Sequence, residues 1–113
     1  MAMRTIEEVM NLAPVIPVLT IKRAERAVPL ARALLAGGLR VLEITLRTDV
    51  ALDAVRAIAQ SVPEAVPGVG TVTTPEDLSE ARAAGAQFAV SPGFSSDLVT
   101  TAGDLPYLPG IAT

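Results

Sequence analysis

Short apolar runs rich in Val and Ile alternate along this chain with longer Ala- and Leu-rich segments whose apolar residues recur at helical spacing. A chain that switches period in this way has few options. Each strand is joined to the next by a helical crossover, so neighbouring strands run parallel, and right-handed crossovers lead to an open doubly wound sheet or to part of a closed barrel. The apolar runs fall at residues 14–21, 41–47, 65–72, 88–93 and 106–113, and no linker or low-complexity stretch separates them. One α/β domain over residues 1–113 is expected. A complete open sheet of this kind carries helices on both faces, yet no helical segment follows the fifth run, which reads as the first part of a larger fold.

The helical segments carry their own boundary signals. In "RAERAVPLARALLAGG", Gly37 is placed to end a helix and Pro29 to kink it. In "DVALDAVRAIAQ", Val50, Ala54, Val55 and Ile58 share one face, with Thr48 or Asp49 available as a cap. In "TTPEDLSEARAAG", Thr74 caps, Pro75 takes the first helical position, Asp77 follows the cap by three residues, and Gly85 closes the far end. A short helix is expected from about Ser96.

Composition narrows the chemistry. Half of the 113 residues are hydrophobic and 19% are charged, a globular balance, and there is neither a cysteine nor a histidine. Disulfides, thiolate nucleophiles, Ser-His pairs and His-ligated metals are thereby excluded, leaving carboxylates, hydroxyls, arginines, Tyr107 and the single lysine, Lys22. A net charge of −3 with 3% aromatic residues lacks the basic face and stacking rings that nucleic acid requires. Every long apolar run is interrupted before membrane-spanning length, and "MAMRTIEEVM" lacks a secretory h-region, so a cytoplasmic protein without membrane or nucleic-acid partners is expected.

Among the twelve acidic residues, Glu43 alone falls inside an apolar run read as a strand. In "VLEITLRT", alternation places Leu42, Ile44 and Leu46 on one side and Glu43, Thr45 and Arg47 on the other. A carboxylate on a sheet face loses hydration, which raises its pKa toward a range useful for proton transfer; the plainer reading is an ion pair or a wet edge. Two readings also stand for "GVGT": glycines admitting a close neighbour or ligand with Thr71 offering a hydroxyl, or a packing pair beside an ordinary turn threonine. "SPG" at residues 91–93 is most simply a strand stop. Lys22, after the first run, could form a Schiff base, but beside Arg23 and Arg26 it reads chiefly as solvated surface. Phe88 and Tyr107 are expected in the core.

The motifs "PVIPVLTI", "LLAGGLRVLEITLRT", "PGVGTV", "GAQFAVSPG" and "LPGIAT" resemble, in order, the first half of the 2-keto-3-deoxy-6-phosphogluconate (KDPG) and 4-hydroxy-2-oxoglutarate aldolases. The resemblance implies a (β/α)8 TIM barrel of which this chain supplies about five strands, class I chemistry through a lysine imine with no metal or organic cofactor, and a homotrimer. It further implies that Glu43 is the general acid/base, that Arg47 and Thr71 hold the carboxylate end of the keto acid, and that Pro92 lines the pocket. The imine lysine of this family lies on the sixth strand, a stretch these residues do not contain. The chain alone is therefore expected to be inactive, and to work with a complementing polypeptide, as a doubled copy or within a longer chain. A flavodoxin-like binding module and a noncatalytic assembly component are the competing expectations.

Overall fold

The computed structural model describes residues 5, 8, 16–91, 103 and 105–109. Five strands alternate with three helices: β1 Val18–Leu19, α1 Ala27–Ala36, β2 Val41–Thr45, α2 Ala51–Ser61, β3 Val66–Gly70, α3 Pro75–Ala84, β4 Ala89–Ser91 and β5 Tyr107–Pro109. A single 3-10 turn, Ala24–Arg26, leads into α1. Every strand pair is parallel, and the order across the sheet is β1-β2-β3-β4-β5. That sequential order settles the choice left open by periodicity, because a doubly wound sheet reverses direction around an inner strand and this one does not. The flavodoxin-like expectation is overturned.

Side-chain parity divides the sheet into two faces. Leu42, Ile44, Val69 and Ala89 join the helix residues Ala27, Ala31, Ala51, Ala54, Val55, Ile58, Leu78 and Ala81 in one buried cluster. All three helices thus lie on one side, with α1 packed on α2 and α2 on α3. Val41, Val66 and Phe88 form a second cluster on the other face, with Ile16 and Val90 against it. On that face Val18 of β1 is 61% exposed, the one large apolar residue so placed among the described residues.

The helix ends follow local chemistry, with three departures from expectation. Thr74 and Asp77 form a reciprocal capping box, Pro75 begins α3, and Gly85 ends it at φ 100°. At the end of α1 the left-handed residue is Gly38, at φ 93°, one position after the expected Gly37. Gly38 N–H donates to Leu35 O and Leu39 N–H to Leu34 O, both at 2.9 Å, which is the Schellman pairing. Pro29 does not sit mid-helix: α1 starts at Ala27, so its missing N–H falls in the first turn, where no helical partner exists. Neither Thr48 nor Asp49 caps α2, whose cap position is Val50 without a side-chain bond. Thr48 Oγ1 instead donates to Ile21 O at 2.6 Å, tying the β2 exit to the β1 exit. The short helix expected from Ser96 lies outside the described residues.

Candidate active site

The carboxyl ends of β1, β2 and β3 meet on the inner face, and the residues there differ in kind from those at the amino ends. β2 is a β-branched run apart from Leu42 and Glu43, and its register pairs Val18 with Glu43, Glu43 with Gly68, and Thr45 with Gly70. Cross-strand partners in a parallel ladder share a face, so Glu43, Thr45, Gly68 and Gly70 all point inward.

The two glycines of "GVGT" make room for side chains from neighbouring strands. A Cβ built on Gly68 would overlap the Phe88 ring, and one built on Gly70 would overlap the Glu43 carboxylate at Oε2. Glu43 therefore lies folded across the backbone of β3. It is half-buried, and desolvation lifts its pKa above the usual carboxylate range. Burial sets the direction of that shift, not a charged neighbour, so the ion-pair reading of Glu43 is not what the structure shows.

Thr45 is 5% exposed, one of the few buried polar residues among those described. Its hydroxyl donates to Leu19 O at 3.3 Å and lies 3.0 Å from Thr20 Oγ1. Sequence reasoning treated Thr45 only as part of a polar face and missed Thr20 altogether. The signal was present in the inward parity of "VLT", but the partner across the ladder was not.

Arg47 departs from the strand reading. β2 ends at Thr45, where Leu46 N–H donates to Gly70 O at 2.9 Å, and Arg47 is exposed in the turn beyond. Arg47 thus follows the carboxyl end of β2 and is not one of its inward-facing positions. Thr71 follows Gly70 directly, is half-buried, and has a positive φ of 61°. Pro92 lies outside the described residues.

Lys22 is exposed, in keeping with the solvated reading. It lines an open pocket of about 350 Å³ with Thr20, Ile21, Arg23, Arg26 and Leu30. Phe88 is 1% exposed in the inner cluster, as expected of a core ring. Tyr107 packs partly buried on the helix side, its hydroxyl 2.6 Å from Ser91 Oγ. No helix among the described residues is long and apolar enough to cross a membrane.

The family model for KDPG and KHG aldolase matches residues 6–113. This chain belongs to that family. It is 54% identical over 109 residues to the KHG/KDPG aldolase of Escherichia coli K12, a match covering 95% of this chain and 51% of that protein. The KDPG aldolase structure from Zymomonas mobilis ZM4 with 3-phosphoglycerate superposes with a TM-score of 0.90 at 51% identity, over 99% of this chain and 54% of that one. The Legionella pneumophila KDPG aldolase, with pyruvate captured as a covalent carbinolamine, gives a TM-score of 0.92 at 44% identity, over 97% and 54%. The chain spans about half the length of the curated relatives it matches. Its five strands in sequential parallel order are the corresponding part of the family's (β/α)8 barrel.

Proposed function

We propose that this chain supplies the proton-transfer side of a class I aldolase site that cleaves 2-keto-3-deoxy-6-phosphogluconate to pyruvate and glyceraldehyde 3-phosphate. The observation that carries this reading is Glu43: a carboxyl group on the inner face, pressed over Gly70 and held above the ordinary carboxylate range by burial alone. A group so tuned retains its proton nearer neutral pH, which suits it to give and take protons in turn. In imine chemistry it would protonate the oxygen lost as water from the carbinolamine. It would then accept the proton of the substrate hydroxyl while the carbon-carbon bond breaks and its electron pair moves into the imine.

The surrounding groups fit the same substrate. Arg47, in the turn at the strand mouth, offers a guanidinium fork for a keto-acid carboxylate, Thr71 a hydroxyl, and Pro92 a wall. These roles come from the family resemblance and are supported by the placement of Arg47 and Thr71 at the carboxyl end of the sheet, where TIM-barrel sites gather. The imine lysine falls outside these residues, so activity belongs to the complete barrel, as a homotrimer or with complementing strands. The exposed Val18 on the edge strand supports a partner covering that edge.

Borohydride reduction in the presence of pyruvate tests the chemistry. The complete barrel should gain the mass of one reduced pyruvate adduct per chain, and the 113-residue chain alone should gain none. An adduct on the chain alone, abolished by Lys22→Ala, would overturn the assignment of the nucleophile.

A further inference from the structure

The third strand does not end as its own register dictates. Val69 N–H donates to Phe88 O at 3.1 Å, so in a regular parallel ladder the N–H two residues later, at residue 71, would meet the carbonyl two residues later, at Val90. The donor that meets Val90 O, at 3.2 Å, is Val72. Three steps along β3 are thus set against two along β4, which is the count of a β-bulge.

Side-chain parity shows the same slip independently. Residues 66, 68 and 70 face inward and Val69 faces the helices, so unbroken alternation would place residue 71 toward the helices and residue 72 inward. Instead Val69 and Val72 are both fully buried in the helix-side cluster. The residue absorbed between them is Thr71, the one non-glycine with positive φ among the described residues. A β-branched side chain is poorly suited to that left-handed conformation, in which glycine would sit without strain. On the β2 side the ladder is intact up to Gly70, whose carbonyl accepts from Leu46 N–H, so the slip at Thr71 falls just past the last β2–β3 pair.

We propose that Thr71 is a strained bulge residue that exchanges fold stability for a hydroxyl at the keto-acid site. Its left-handed backbone withdraws position 71 from the helix-side core and turns it to the strand mouth, next to the glycine over which the Glu43 carboxylate lies. Glycine would make the same bulge at lower cost, so the side chain is what the strain retains. The part played by the hydroxyl rests on the aldolase reading above; the bulge and its strain do not.

Three variants of the intact protein separate these elements. Thr71→Gly removes both strain and hydroxyl, Thr71→Ala removes the hydroxyl and keeps a Cβ in the left-handed region, and Thr71→Ser keeps the hydroxyl. Thr71→Gly should melt above Thr71→Ala by roughly 2–8 °C. Both should raise KM for the phosphorylated keto-deoxy acid on the order of ten- to a hundredfold, with a smaller change in kcat, while Thr71→Ser stays near the parent. Thr71→Gly melting at or below Thr71→Ala would overturn the strain, and an unchanged KM in an active parent would overturn the role of the hydroxyl. A parent with no turnover of keto acids contradicts the aldolase reading instead, and the melting comparison still decides the bulge.

Discussion

The amino and carboxyl ends of the inner face are built from the same strands and obey opposite rules. At the amino end Val41, Val66 and Phe88 are buried to 1% exposure or less, and Gly68 is small so that the Phe88 ring can fill its place. At the carboxyl end Gly70 is small for a carboxylate, Thr45 holds buried hydrogen bonds, and Thr71 interrupts the ladder. One end maximises packing, and the other accepts desolvation and backbone strain. The lesson is that a glycine two residues from another on one strand face serves stability in one case and chemistry in the other. The neighbour that fills the space decides which.

Substitutions at the two ends should therefore separate stability from activity. The largest effect on folding belongs to Phe88→Ala, which empties the inner cluster and should cost about 3–5 kcal/mol in urea unfolding. Equal destabilisation by any mouth substitution would break the contrast. Gly68→Ala comes next, because its new methyl meets a buried ring with no easy retreat, and an overpacking cost of about 1–3 kcal/mol is expected from the same measurement. Gly70→Ala presents the same methyl to the end of a flexible side chain. It should cost less than Gly68→Ala in urea while displacing Glu43 and lowering kcat more. Thr45→Val, which removes the hydroxyl's bonds to Leu19 O and Thr20 Oγ1, is expected to lose about 1 kcal/mol.

The smallest effect is the pH dependence contributed by Glu43. Its folded pKa is raised, so the folded state holds the proton more tightly than the unfolded chain. The corresponding stability is present below the ordinary carboxylate pKa and is lost as pH rises through the folded value. Urea midpoints measured across that window should fall with rising pH in the parent, and Glu43→Gln should flatten that component of the slope. A slope unchanged by the substitution would mean that the carboxyl is fully hydrated.

How much of this was legible in the sequence depended on the range of the interaction. The α3 cap needs only Thr74, Pro75, Asp77 and Gly85, all within one short segment, and it was readable there. The outward packing of Leu42 and Ile44 followed from parity alone. Glu43 stood out as a carboxyl inside an apolar run, although its resting place over Gly70 required the β2–β3 register. The bulge at Thr71 was not legible, because it is a mismatch between two ladders and leaves no compositional mark on "GVGTV". Arg47 was read into β2 because alternation continues past the point where hydrogen bonding turns the chain. Pro29 was misplaced for a related reason: its effect depends on where α1 begins, and the 3-10 turn before it has no distinct sequence signature.

Turnover by Glu43→Gln is the direct test of the site as a whole. Pyruvate release from 2-keto-3-deoxy-6-phosphogluconate should fall about 10²–10⁴-fold in the complete barrel, with unfolding at low pH unchanged from the parent. Release at the parent rate by a folded Glu43→Gln protein would contradict the assignment of proton transfer to the carboxyl end of this face.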